Sequence, residues 1–477
     1  MKKKVLSALL SATLIVSMLA GCGGNNDNPA GNTTPQTTPA QSTGENKSDA
    51  EPAAAEGQVL NIYCWNNEFR DRVVAFYPGY EKTDETHGNI GDVSVVWHET
   101  PNKDNAYQDN LDQNLLNQAN AAADDKIDMF LVEADYALKY VNSDYTMAVT
   151  DLGITSADIA NQYKYTQDVV TDSNGVLKGL SWQGCPGVMF YNREAAKEIF
   201  GSDDPATVQE QVKDWATFNA TAKTVADKGY KIVSSANDTY RTYSNNVSSP
   251  WVVDGKINVD ANIMNWVNDS KALVDAGYIG THDLWSDDWS SGFFPQGKVF
   301  CYFGPAWLVN YSMSADQEGS IGFNGGWGAT EGPQGFFWGG TWICAATGTD
   351  NETLVKDIML QMTTNEDIMT QIVIECDDFV NNKPAMEALA SGEKMVKDAD
   401  GNDVVYSSKV LGGQNPLAMY CAGVNTLDLS NLSDYDQGCN EEFQKAMKNY
   451  FEGNATLDDA LQMFYKAVVE KYPNLTY

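Results

Sequence analysis

Short apolar runs alternate with helix-spaced stretches along the chain from residue 57 onward. The pattern predicts strands over residues 59–65, 93–98 and 127–132, and helices over 69–80 and 105–122. Strands that alternate with helices favour an α/β fold, with a largely parallel sheet covered by helices on both faces. In such sheets ligands bind beyond the carboxyl ends of the strands, so the loops at those ends are the first candidates for a binding site.

The loops after the first and third predicted strands combine aromatic and polar side chains. The candidates in these two loops are Trp65, Asn66, Asn67, Glu68, Asp135 and Tyr136. Asn66 and Asn67 are equally compatible with a simple turn after a strand.

Three later segments carry recognisable motifs at strand or helix boundaries. Residues 179–194 run through Tyr-Asn-Arg at 191–193, and a helix is predicted over 195–200. Residues 293–307 contain Phe-x-x-Gly-Lys followed by Gly-Pro-x-Trp. Residues 339–363 begin with Gly-Gly and continue as a predicted strand and helix.

The N-terminus has the three parts of an export signal. Three lysines follow Met1, an apolar stretch covers residues 5–19, and two small residues precede Cys22. The apolar stretch is shorter than the ~20 residues that span a bilayer, so residues 1–21 are predicted to be a signal peptide and not a transmembrane helix. Residues 19–22 resemble a bacterial lipobox, which implies that Cys22 carries lipid. An ordinary secretory signal with an incidental cysteine is the alternative.

The segment that follows the signal has no residues suited to a core. Between residues 23 and 56 there is no aromatic residue and no Val, Leu or Ile. Such a segment cannot bury enough apolar surface to offset its loss of chain entropy. Residues 22–56 are therefore predicted to be a lipidated cysteine and a disordered tether.

The charge of the chain excludes some partners. The sequence has 65 acidic and 31 basic residues, and loss of the three lysines with the signal moves the formal net charge from −34 to −37. Nucleic acid and anionic lipid both require positive charge, so we expect neither as a direct partner of the folded part.

The cysteines do not form a metal or catalytic pattern. Seven remain besides Cys22, they are scattered without a C-x-x-C, and the chain has only three histidines. Zinc and thiol–histidine chemistry therefore lack their residues, and no cofactor is expected. Buried free thiols are the favoured interpretation, and a single structural disulfide is the alternative.

Taken together, the motifs resemble the extracellular solute-binding proteins of carbohydrate ABC importers, the superfamily that contains the maltose-binding protein. Four features follow the order of that family: the first strand with its Trp-Asn loop, Tyr-Asn-Arg at 191–193, the segment 294–307, and the Gly-Gly strand and helix at 339–363. The resemblance covers nearly all of the chain after the tether.

The resemblance implies a periplasmic-binding-protein fold of two α/β lobes with a hinge and a ligand cleft between the lobes. The chain is expected to cross between lobes near residues 185–186, 330–331 and 377–378. This places residues 57–185 and 331–377 in lobe 1, and residues 186–330 and 378–477 in lobe 2. It also implies a monomer that captures a carbohydrate, most simply an oligosaccharide, at the outer face of the cytoplasmic membrane and delivers it to a permease by hinge closure.

A sugar has an apolar ring face and a rim of hydroxyl groups, so its site needs flat aromatic side chains and polar partners. Six of the twelve tryptophans lie between residues 285 and 342, although a core position is the commonest fate of a tryptophan. The predicted ligand-binding residues are Trp65, Asn66, Asn67, Glu68, Asp135, Tyr136, Trp182, Gln183, Arg241, Asp288, Trp307, Trp338, Gly340 and Trp342.

Two other classes of function remain as alternatives. A surface glycoside hydrolase would use a pair of carboxylates, and the many acidic residues do not exclude one by counting. However, the chain has no G-x-S-x-G, H-E-x-x-H or phosphate-loop motif, so we expect no enzymatic activity. A binding protein for a non-sugar solute, such as a polyamine or a peptide, is the second alternative, because a polyamine site would also combine carboxylates with aromatics.

Overall fold

The computed structural model describes residues 57–313 and 315–477. The signal peptide, the lipidated Cys22 and the tether lie outside the described residues. The described chain forms two main β-sheets with helices packed around both, and two short hairpins. Within it, no helix is both long enough and apolar enough to cross a membrane.

The strands, in chain order, are β1 Val59–Cys64, β2 Tyr80–Lys82, β3 His87–Ile90, β4 Val93–Glu99, β5 Met129–Glu133, β6 Leu180–Ser181, β7 Pro186–Asn192, β8 Lys231–Val233, β9 Val252–Val253, β10 Lys256–Ile257, β11 Val299–Gly304, β12 Trp327–Thr330, β13 Phe336–Phe337, β14 Thr341–Ala345, β15 Val396–Lys397 and β16 Asp403–Val404.

The helices, in chain order, are α1 Glu68–Phe76, α2 Ala106–Asn117, α3 Ala137–Val141, α4 Lys164–Asp168, α5 Arg193–Phe200, α6 Pro205–Glu210, α7 Trp215–Ala226, α8 Tyr240–Ser244, α9 Ala261–Asp275, α10 Asp287–Ser290, α11 Ala306–Tyr311, α12 Glu352–Thr364, α13 Glu366–Cys376, α14 Lys383–Ser391, α15 Leu417–Val424, α16 Asp436–Phe451 and α17 Leu457–Lys471.

The larger sheet has seven strands in the order β2-β3-β4-β1-β5-β14-β6. Its centre is parallel, since β1 pairs in parallel with both β4 and β5. The outer pairs, β2–β3, β3–β4, β5–β14 and β14–β6, are antiparallel. The prediction of a largely parallel sheet is therefore correct for β1, β4 and β5, the three strands predicted from the sequence. It is wrong for the edges, because β2 and β3 form a hairpin and β14 enters from a distant part of the chain.

The smaller sheet has five strands arranged around β7. This strand is antiparallel to β11, β12 and β13, and β8 pairs in parallel with β11. All seven residues of β7 are buried. Asn192 ends the strand and its side chain accepts a hydrogen bond from the Ala195 amide, which caps α5 and explains the Tyr-Asn-Arg motif.

Most predicted elements are present, with shifted ends. The helix predicted over 69–80 ends at Phe76, because Pro78 and Gly79 follow it and Gly79 has φ of +80°. The helix predicted over 105–122 ends at Asn117 and continues only as a short 3₁₀ turn at Gln118–Asn120.

The chain passes between the two sheets more than once. It leaves the larger sheet after β6 and returns to it at β14, after β13 of the smaller sheet. The exact division into lobes at residues 185, 330 and 377 stays a prediction.

All seven cysteines in the described part of the chain are free, and six of them are buried. This confirms the interpretation that they act as small apolar side chains rather than as a disulfide framework.

Candidate functional site

A cavity of about 500 Å³ lies where the ends of both sheets meet. Its walls come from the loops after β1, β5 and β11 and from the segment before β14. Thr341, the first residue of β14, pairs with Glu133, the last residue of β5. Because these two strands are antiparallel, the start of β14 lies at the carboxyl end of β5. The site is therefore at the edge of the sheet where α/β folds hold ligands.

Ten of the fourteen residues predicted to bind ligand line this cavity. They are Trp65, Asn66, Glu68, Asp135, Tyr136, Gln183, Arg241, Trp307, Trp338 and Gly340. Contact with a ligand stays a prediction for each of them. Their convergence indicates that loops far apart in sequence contribute to one site.

The other four lie elsewhere. Trp182 and Trp342 are core residues at 0% and 1% exposure, where no ligand can stack on them, so the prediction of ligand contact is unsupported for both. Asp288 projects from α10 with 83% of its side chain exposed, outside the cavity lining. Asn67 is also outside the lining, but its side-chain oxygen accepts a hydrogen bond from the Tyr311 hydroxyl at 2.5 Å.

Three tryptophans form one apolar wall of the cavity. The ring centroids of Trp307 and Trp338 are 5.2 Å apart, and Trp285 lies 6.1 Å and 5.7 Å from them. The planes of the three rings are inclined to one another by 35°, 38° and 68°, so the rings form one packed aromatic cluster at the cavity. Trp285 is 55% exposed and has φ of +69°, a backbone region that bulky residues rarely adopt. Backbone strain of this kind is concentrated at functional sites in proteins.

Twelve lining residues were not predicted from the sequence: Asn102, Glu133, Asn237, Leu284, Trp285, Tyr311, Ser312, Gly339, Thr341, Gln437, Glu441 and Gln444. For Trp285 a signal existed, since it belongs to the tryptophan-rich stretch. Gln437, Glu441 and Gln444 share one face of α16 by their helical spacing. That spacing alone could not have placed the helix beside a strand end more than 300 residues earlier.

Side chains bridge the two sides of the cavity directly. Both terminal nitrogens of Arg241 on α8 bind the carboxylate of Asp135 after β5, one of them at 2.7 Å. Gln437 of α16 donates to the Asn105 side-chain oxygen and accepts from Gln108, each at 3.1 Å. These bonds join elements around the two sheets, so the cavity is partly closed by the protein itself.

Two carboxyl groups in the cavity have strongly raised pKa values. Burial, and next the charge of Asp135, raise the pKa of Glu133 to about 8 although Arg241 opposes the shift. Burial, and next the charge of Asp378, raise the pKa of Glu68 to about 7 although Arg72 and Gln183 oppose the shift. Gln183 donates from the same nitrogen to Glu68 at 2.7 Å and to Asp378 at 3.2 Å. The cavity therefore holds carboxyl groups that can change charge near neutral pH.

Several polar atoms at the cavity have no partner within the described residues. They are the hydroxyl of Tyr136, the side-chain oxygen of Gln183 and the side-chain oxygen of Asn102. Buried polar groups in proteins are nearly always hydrogen-bonded, so unpaired ones at a cavity indicate places for a ligand or water. A ligand with several hydroxyl or amine donors would satisfy them.

The stability of the protein is expected to fall as the pH rises from about 5 to about 8. Above the ordinary carboxyl pKa of ~4.3 the unfolded chain ionises, whereas Glu68 and Glu133 keep their protons in the folded state. The folded state then binds more protons, so raising the pH lowers the free energy of unfolding until the folded pKa values are passed. Melting temperatures measured across this range should decrease.

The variant Glu133→Gln should weaken this pH dependence and melt higher than the parent near pH 8, with little difference near pH 5. Glu387→Gln removes an exposed carboxylate of α14 and serves as the control. An unchanged slope in Glu133→Gln would show that the Glu133 carboxyl is ionised in the folded protein.

Comparisons with known proteins agree with this architecture. Residues 83–400 match a family described as bacterial extracellular solute-binding protein. A sequence comparison with curated proteins found no match.

Solved structures of similar fold cover most of the chain. A crystal structure of an extracellular solute-binding protein of family 1 aligns with a TM-score of 0.66 and 17% identity, over 86% of this chain and 99% of that one. The binding protein associated with an ABC transporter of B. animalis subsp. lactis Bl-04, in complex with beta-1,6-galactobiose, aligns with a TM-score of 0.62 and 18% identity, over 88% and 99%.

The galacto-N-biose-/lacto-N-biose I-binding protein of the Bifidobacterium longum ABC transporter, in complex with lacto-N-biose, aligns with a TM-score of 0.63 and 14% identity, over 88% of this chain and 98% of that one. At these identities the likeness concerns the fold, which is the two-lobed architecture expected from the sequence. The family match spans two thirds of the sequence, and on that ground this chain belongs to the bacterial extracellular solute-binding proteins.

Proposed function

We propose that the chain captures a carbohydrate, most simply an oligosaccharide, and delivers it to an ABC importer. The observation that carries the proposal is the cavity in which a cluster of three tryptophans is combined with buried polar atoms that lack partners among the described residues. A pyranose ring presents an apolar face to an indole and hydroxyl groups around its rim. The cavity supplies an aromatic surface for the apolar face of the ring and hydrogen-bond partners for the hydroxyl groups.

The size of the cavity and the similar structures support the same ligand class. About 500 Å³ lies within the ~300–1,000 Å³ of typical small-molecule sites. Two of the similar structures are described in complex with a disaccharide-type ligand, galactobiose and lacto-N-biose.

Delivery would follow from closure of two lobes around the ligand, divided as predicted from the sequence. A ligand that contacts residues from both sides favours the closed form by its difference in affinity for the two forms. The bonds of Arg241 to Asp135 and of Gln437 to Asn105 are contacts of this closed type. The closed surface would be what a permease recognises.

Thermal melting with a set of sugars tests ligand binding, and small-angle scattering with the bound sugar tests closure. We expect a set of gluco- and galacto-oligosaccharides to contain a ligand that raises the melting temperature, because a ligand at a hundred times its Kd adds about 2.7 kcal/mol of stability. The same ligand should reduce the radius of gyration. If no sugar of the set shifts the melting temperature, the carbohydrate proposal fails; an unchanged radius with a bound sugar contradicts closure alone.

The proposal includes a membrane anchor at Cys22 and a tether over residues 23–56, which would hold the folded part at the outer face of the membrane. Two or three acyl chains suffice for stable anchoring where one does not. The variant Cys22→Ser is expected to appear in the medium or as an uncleaved precursor, measured by fractionation and immunoblotting. Normal membrane retention of fully processed Cys22→Ser protein would contradict the anchor.

We propose that the chain only binds its ligand and does not convert it. Purified protein incubated with chromogenic glycosides should release no chromophore. Turnover that is lost on substitution of a cavity carboxylate would instead favour a glycoside hydrolase.

A further inference from the structure

We propose that the ligand carries a positively charged amine, which binds the carboxylate of Glu133 beside the indole of Trp307. The inference rests on the proposed function of the same cavity and narrows its ligand class. An amino sugar fits both the proposed function and this subsite. A polyamine shares the amine and lacks the sugar ring.

The carboxyl groups of the cavity wall outnumber its basic groups, which favours a ligand that brings a cation. Among the described lining residues four have carboxyl groups, Glu68, Glu133, Asp135 and Glu441, and Arg241 is the only basic one. The guanidinium of Arg241 is occupied by both oxygens of Asp135. It therefore neutralises one carboxylate and leaves the others without a cation inside the cavity.

Of the remaining carboxyl groups, Glu133 alone has neither an ion-pair partner nor a side-chain hydrogen bond among the described residues, whereas Glu68 lies 4.0 Å from the Arg72 guanidinium. Glu68 accepts a hydrogen bond from Gln183 at 2.7 Å, and Glu441 accepts one from Gln437 at 3.0 Å and lies 3.4 Å from Lys471. One Glu133 oxygen, Oε2, accepts a hydrogen bond from the Asp135 amide at 2.8 Å. Its Oε1 accepts none from any residue in 57–313 or 315–477.

Gly339 provides the space at which this free oxygen and an indole meet. A Cβ atom built on Gly339 would lie 3.4 Å from Cζ2 of Trp307 and 3.7 Å from Oε1 of Glu133. Gly339 has φ of +67° and bears no side chain, so the carboxylate and the indole border the same gap. An ammonium group there would donate to the carboxylate, and the negative face of an indole ring would attract it.

Unpaired acceptors nearby point to a ligand rich in donors. The side-chain oxygens of Gln183 and Asn102 accept no hydrogen bond in the described chain, and Gln183 is only 1% exposed. These amide oxygens can only accept, so a partner must donate. An amine with its neighbouring hydroxyls supplies such donors.

The raised pKa of Glu133 is typical of a buried carboxyl group that has no cation paired with it. Burial and the charge of Asp135 raise its pKa to about 8, and Arg241 and the Asp135 amide oppose this, while Glu441 adds to the rise. A bound ammonium would restore the ionised carboxyl, with release of a proton from Glu133 near neutral pH. A neutral sugar would leave the proton in place.

Calorimetry on the full folded protein can test the proposal with matched ligands. The probes are glucosamine and galactosamine with their β-linked disaccharides, the N-acetyl counterparts, the neutral hexose counterparts, and spermidine. We expect the tightest binding for an amine sugar near pH 6.5, where the amine is charged, with at least about tenfold weaker binding of its N-acetyl form. Heats measured in buffers of different ionisation enthalpy should reveal proton release.

The variant Glu133→Gln should remove this tenfold preference and the proton release, and Glu387→Gln, far from the cavity lining, should retain both. The melting temperature of each variant confirms that it is folded. A neutral or N-acetyl sugar that binds as tightly as the amine overturns the amine subsite and leaves the carbohydrate function intact. Binding of spermidine without any sugar supports the subsite and overturns the carbohydrate function. No binding by any amine overturns the subsite.

Discussion

Replacing Trp182 with alanine is expected to lower the free energy of unfolding by about 3–5 kcal/mol, the usual cost of deleting a buried aromatic side chain. Trp182 is fully buried, and its ring stacks on that of Phe69 with centroids 5.0 Å apart and planes at 24°. The alanine would leave a cavity between α1 and the strand end at Ser181. Urea unfolding followed by circular dichroism measures the loss.

Trp182→Phe is the matched control, because phenylalanine keeps a ring against Phe69 and should lose much less stability. A Trp182→Ala protein as stable as the parent but with weakened sugar binding would restore the prediction made from sequence, that this residue contacts ligand.

Replacing Trp307 with alanine is expected to weaken sugar binding and to change the stability of the fold little. Trp307 is partly exposed on the cavity wall, and its indole nitrogen donates only a long hydrogen bond of 3.3 Å to the Trp338 carbonyl. Loss of the ring should therefore change the melting temperature little while it weakens sugar binding by about 1–2 kcal/mol or more, roughly a factor of 5 to 30. Titration calorimetry on the same preparation measures the loss of affinity.

Trp307→Phe should retain part of the affinity, since a smaller aromatic face remains. A folded Trp307→Ala protein that binds the sugar as tightly as the parent would exclude the indole as a ligand platform. A loss of stability near that of Trp182→Ala would instead make Trp307 a core residue.

The contrast between these tryptophans shows what sequence could and could not provide. Both follow strand-like segments, and the polar neighbours of Trp182 made it resemble a cleft residue. Whether each tryptophan is buried or faces the cavity depends on the direction of the chain at that residue. Pro305 and Gly304 end β11 and direct Trp307 outward, whereas Trp182 lies between β6 and β7, where helix α1 covers it.

The fold class was predictable because its signals are local. The parallel core β4-β1-β5 follows from hydrophobic periodicity and from turn residues such as Asn66 and Gly79. The outer strands of the larger sheet were not predictable. The pairing of β14 with β5 joins residues more than 200 positions apart, and no local sequence pattern indicates it. The same limit applies to α16, whose residues Gln437 and Glu441 reach the cavity from near the C-terminus.

The reactivity of a buried thiol can report how often the chain around the cavity opens in the native protein. Cys185 lies next to the cavity residue Gly340, with Sγ only 3.1 Å from where a Cβ on Gly340 would be, and just 2% of it is exposed. A thiol-specific dye can therefore reach it only when the surrounding chain separates, whereas Cys421 is partly exposed in the folded protein. The rate at which the dye reacts with Cys185, relative to Cys421, reads out the free energy of that separation in the native protein.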